Sequence, residues 1–108
     1  MKDVKFSDII ECSKQIREKY HLLEQQNHED KWTVEEDALA FLTDAALVGR
    51  LVMSQQKRWP KEGNTYEELE HKLGESIWWL IVLADRMGID IAEALDKFLS
   101  KTENLLQE

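Results

Sequence analysis

The sequence predicts an all-α fold, and three observations carry that prediction. The 108 residues include one proline and four glycines, too few for the turns of a many-stranded sheet. Long segments repeat their apolar residues at the helical period, and none alternates apolar and polar residues as a half-buried strand does. The runs between turn signals are long enough for several helical turns each. Four helices follow, making the subunit of a helical bundle. One domain over residues 1–108 is expected, beginning with a helix and loop at 1–30, and folding should bury about 65% of the unfolded surface.

The first helix is expected to start with Ser7 as N-cap and to run through Ile9, Ile10, Ile16, Tyr20 and Leu23. Gln25 to Lys31 is polar and aperiodic, so it reads as a surface loop carrying an exposed His28. Thr33 and Glu36 form a capping box for the second helix, which runs to about Ser54. Its polar strip is narrow: Glu36, Thr43 and Arg50, spaced by seven. Asp44 falls in the apolar stripe with Ala40, Phe41, Leu47, Val48 and Leu51, and Asp37 lies one heptad earlier. An ionised carboxylate is seldom buried alone. Asp44 is therefore either satisfied by a Lys, Arg, Trp or hydroxyl donor, or a ligand of a divalent cation.

Gln55 to Asn64 holds the only proline and must be a loop. Its cations Lys57, Arg58 and Lys61, beside Trp59, either hold an anion such as a triphosphate or are simply solvated around a packed tryptophan. The third helix is expected within the stretch Tyr66 to Asp90 and ends before Gly88, with a capping box of Thr65 and Glu68. At about 100° per residue, Leu69, Leu73, Ile77, Leu80, Ala84 and Met87 form one apolar stripe, opposite Glu68, His71, Lys72 and Glu75. From Ile77 to Ala84 every residue is apolar, so this half should be covered all round. Eight residues cannot span a membrane, which takes about 20, so a partner subunit is the expected cover. His71 and Glu75, one turn apart, either share a metal or hydrogen-bond at the surface. Asp90 starts the last helix, whose buried face is expected to be Ile91, Ala94, Leu95, Phe98 and Leu99.

The net charge of −8 argues against a broad electrostatic footprint for nucleic acid. Cys12 stands alone, so neither an internal disulfide nor a cysteine zinc cluster can form. The N-terminal residues show neither the apolar run nor the cleavage pattern of a signal peptide, and a cytosolic protein is expected.

The stretches KWTVEEDALAFLTDAALVGRL and EELEHKLGESIWWLIVLADRMGIDIAEALDKFL, within residues 31–100, resemble the MazG-like all-α nucleoside triphosphate pyrophosphohydrolases. The resemblance is strongest at LADRMGIDIAEAL. It implies a dimer or tetramer of helical subunits that binds Mg²⁺ through a Glu-Glu-x-x-Glu motif on one helix and a Glu-x-x-Asp motif on the next. The implied reaction converts an NTP or dNTP to the monophosphate and pyrophosphate. In this register the first motif falls on Thr43 to Leu47 and keeps only Asp44, with Leu47 where the third carboxylate stands. The second falls on Lys72 to Glu75 and keeps only Glu75, with Lys72 at a ligand position. Asp44 and Glu75, supported by Glu68, His71 or Asp37, are then the candidate Mg²⁺ ligands, and Lys57, Arg58 and Lys61 the candidate phosphate contacts. The alternative is a degenerate site in which Lys72 forms an ion pair with Asp44 or Glu75, in an oligomeric module that binds a nucleotide or a protein partner.

Overall fold

In the computed structural model, which describes residues 4–28 and 30–107, the chain forms four helices: α1 (Phe6–His28), α2 (Val34–Gln55), α3 (Thr65–Arg86) and α4 (Ile91–Leu106). No strand occurs among the described residues. None of the helices is long and apolar enough to cross a membrane.

Local chemistry sets each helix end. The Lys5 carbonyl accepts from the N–H groups of Asp8 (3.0 Å) and Ile9 (3.2 Å), so α1 begins before Ser7, which lies inside the first turn and is not the N-cap. The helix also continues through residues 25–28, where a loop was expected. Gln25 and Gln26 are good helix formers, and a polar stretch without periodicity can still be a solvated last turn. The His28 side chain lies outside the described residues. The capping box of α2 forms as expected: Thr33 Oγ1 accepts from the Glu36 N–H at 3.1 Å and Glu36 Oε1 from the Thr33 N–H at 2.9 Å. For α3 the cap is Asn64, one residue earlier than expected, with Oδ1 accepting from the Glu67 N–H at 3.1 Å. Glu68 is thereby free of the cap. Gly88, with φ 70°, takes the left-handed conformation just past α3, and Asp90 caps α4 by accepting from the Glu93 N–H at 3.0 Å.

The buried apolar residues are Leu51 of α2 and Trp79, Ile81, Val82 and Ala84 of α3. On α3 the line Lys72, Glu75, Trp79, Val82 and Arg86 turns toward the interior, while Leu73, Ile77, Leu80 and Met87 of the expected apolar stripe are exposed. The reason is that the polar side of α3 meets complementary charges on α2, and its second half is apolar on both sides. The expected buried face of α4 is likewise uncovered: the helix buries no residue, and Leu95, Phe98 and Leu99 are exposed.

A chain of this shape is too open for its mass. Its radius of gyration is 16.7 Å, against about 13 Å for a compact domain of this length. Its accessible surface is 8613 Å², against about 6,200 Å² for a monomeric protein of this mass.

Candidate functional site

Asp37 and Asp44 stand seven residues apart on the inner face of α2, and Lys72, Trp79 and Arg86 are spaced by seven on the inner face of α3. The antiparallel pairing of these two rows builds two polar nodes between the helices. In the first, the Lys72 ammonium donates to Asp44 Oδ1 at 3.0 Å and to Glu75 Oε1 at 2.9 Å. The indole N–H of Trp79 donates to the other Asp44 oxygen at 2.9 Å. One cation therefore bridges two carboxylates at short range. Burial pushes the Asp44 carboxyl up, but the hydrogen bonds from Lys72 and Trp79 and the ammonium charge outweigh it and hold the group below the ordinary carboxylate value. Lys72 is held above the ordinary lysine value by Glu75 first and Asp44 next, against the opposing effect of desolvation.

The second node is more deeply buried. Asp37 is 0% exposed; its oxygens accept from Arg17 Nη2 and from Arg86 Nη1, both at 2.7 Å. Arg17 also donates to Glu24 at 2.9 Å, and its guanidinium lies 5.6 Å from the Trp79 ring centroid. This arrangement makes Asp37 the anchor of three helices rather than a metal ligand. Arg17, Glu24 and Arg86 were not singled out from sequence. The available signal was the heptad spacing of Arg86 from Trp79 and the spacing of Arg17 and Glu24 along one face of α1.

Of the other candidates, His71 is well exposed, with its Nε2 3.6 Å from Glu75. Glu68 pairs with Lys61 at 3.1 Å. Lys57 and Arg58 are exposed and form no ion pair among the described residues. Lys61, Glu68, His71 and Lys72 do share the lining of one cleft of about 450 Å³, with Leu47 and Leu51 on its α2 side. Trp59 is exposed and stacks under Arg50, whose guanidinium lies 3.7 Å from the ring centroid and donates to the Trp59 carbonyl at 2.7 Å.

Mg²⁺ requires near-octahedral oxygen ligation at about 2.0–2.1 Å. An ammonium within 3.0 Å of both candidate carboxylates competes directly with that requirement. No group of three His, Cys, Asp or Glu that could hold a metal occurs among the described residues. As arranged, these side chains fit a structural ion pair and do not fit Mg²⁺. No family model, curated protein or solved structure matches the chain. The functional reading therefore rests on the residues themselves.

Proposed function

We propose that the chain is a MazG-like helical protein whose metal site has been replaced by the Asp44–Lys72–Glu75 ion pair. It acts as a self-associating module that binds a nucleotide or a protein partner without hydrolysing it. The observation that carries this reading is the double contact of the Lys72 ammonium, which occupies the space between the two carboxylates that the family register assigns to metal. Self-association has separate support. The chain exposes about 2,400 Å² more than a monomer of its mass, comparable with the roughly 1,000–2,500 Å² per chain that obligate dimers bury. The exposed residues Leu39, Leu42 and Met53 of α2, Ile77 and Leu80 of α3 and Phe98 of α4 supply apolar surface for it.

The family's own reaction, Mg²⁺-dependent cleavage of an NTP or dNTP to the monophosphate and pyrophosphate, is the second reading. One observation favours it: Asp44 and Glu75 reach a common point, and the adjacent cleft carries Lys61 and His71. Incubation with Mg²⁺ and a panel of NTPs and dNTPs, followed by analysis of the phosphate products, separates the two. Binding of a nucleotide or partner without turnover is the expected result. Pyrophosphate release would replace the first reading with the second.

A further inference from the structure

α1 is docked by polar groups rather than by apolar burial. Among the described residues Ser13 and Arg17 are its buried ones, while Ile9, Ile16, Tyr20 and Leu23 are exposed. The Ser13 carbonyl accepts from the Trp78 indole N–H at 3.3 Å, Lys14 meets Asp85 at 3.4 Å, and Arg17 bridges Glu24 and Asp37. A helix held this way responds to proton concentration more than one held by leucines. His21 lies on the docking face, one turn after Arg17 and one turn before Glu24. Its Nε2 is buried and has no hydrogen-bond partner among the described residues.

We propose that His21 is an acid-operated release for α1: protonation creates a buried N–H without an acceptor beside Arg17 and Arg86, and the helix undocks from α2 and α3. The charged groups that act on the imidazole are Arg17 and Glu24 of α1, Arg86 of α3 and Lys31 of the segment leading to α2. The α2 carboxylate at this node, Asp37, is taken up by Arg17 and Arg86. Three cations, Arg17, Arg86 and Lys31, against the two carboxylates Glu24 and Asp37 leave the surroundings net positive, so a further positive charge is unfavourable. Burial first, then the charges of Arg17 and Arg86, hold the imidazole below its ordinary value of 6.5 against the pull of Glu24. The docked state therefore binds the proton less readily than the undocked one. Docking is unaffected well above the ordinary value and weakens as the pH falls below it.

Hydrogen exchange on the full chain, corrected for intrinsic rates and compared at about pH 7.5 and about pH 5.5, reads this release directly. The expected result is a loss of protection in α1 of up to about tenfold, the limit set by linkage one pH unit below the ordinary value, with α2 and α3 protection retained. His21→Gln should abolish the pH dependence, whereas His28→Gln and His71→Gln should leave it in place. Equal α1 protection at both pH values, or pH dependence that survives His21→Gln, overturns the proposal. Should the Gln variant fail to fold, NMR titration of the wild-type imidazole decides. A midpoint below 6.5 that coincides with α1 release supports the inference, and a midpoint at or above 6.5 overturns it.

Discussion

The Lys72 ammonium lies 3.0 Å from Asp44 and 2.9 Å from Glu75, joining the middle of α2 to the first half of α3. Both carboxylates depend on this one cation. Lys72→Met keeps most of the side-chain bulk and removes the charge, leaving Asp44 with only the Trp79 indole as donor. Hydrogen bonds to charged groups are worth roughly 1.5–3 kcal/mol. Urea denaturation is expected to show a loss of about that size, with an unchanged dependence on denaturant.

Two carboxylates give the stability a predictable acid limb. Asp44 and Glu24 are both pushed up by burial, but their ordinary values of 3.8 and 4.5 are nevertheless lowered by hydrogen bonds and charge, from Lys72 and Trp79 in one case and from Arg17 and the Trp32 N–H in the other. A lowered folded value means that the contribution is complete above the unfolded value and is lost as pH falls through the folded one. Their share of the stability should therefore be constant above about pH 4.5 and decline below it. Lys72→Met reduces the Asp44 share to what the Trp79 indole alone supports, so the variant's urea midpoint should change less with pH in the lowest part of that range. Parallel curves for the two proteins would contradict this assignment.

Asp37 is the more costly carboxylate to lose. Its removal leaves Arg86 without its carboxylate and Arg17 with Glu24 alone, and breaking a buried pair costs about 3–5 kcal/mol. Small domains hold only about 5–15 kcal/mol in total. Asp37→Ala should melt far below the wild-type protein, as followed by circular dichroism, and should lose α1 protection with it.

The excess accessible surface predicts that folded chains are at least dimeric at micromolar concentration. Sedimentation equilibrium should return a mass of two or more chains, and Ile77→Glu on the exposed stripe of α3 should reduce it. A well-folded wild-type monomer would contradict the self-association reading.

Much of the fold was legible in the sequence because local chemistry specified it. The Thr33 and Glu36 capping box, the glycine after α3 and the helical period of α2 each have a physical meaning independent of the rest of the chain. Asp44 was legible for the same reason, since the helical period alone puts it among apolar residues. The orientation of α3 was not. Its two apolar sides satisfy the same pattern, and only the partner charges of α2 decide that Lys72 and Trp79 face inward while Ile77 and Leu80 do not. Nor can periodicity say whether an apolar face is covered by the same chain or by another, which is why Phe98 and Leu99 looked like core residues. The Arg17, Asp37 and Arg86 node required three helices to be placed at once.

The central claim is that the Lys72 ammonium, and not a metal ion, joins Asp44 to Glu75, and thermal melting with and without millimolar Mg²⁺ tests it most directly. Lys72→Glu alone should crowd acids around Asp44 and lower the melting temperature in the absence of metal. Leu47→Glu together with Lys72→Glu puts acids at the Leu47 and Lys72 positions, beside Asp44 and Glu75. Binding to the folded state then stabilises it by linkage. The account predicts a Mg²⁺-dependent rise in melting temperature for the double variant and none for the wild-type protein. A wild-type protein that gains several degrees from Mg²⁺ would contradict it.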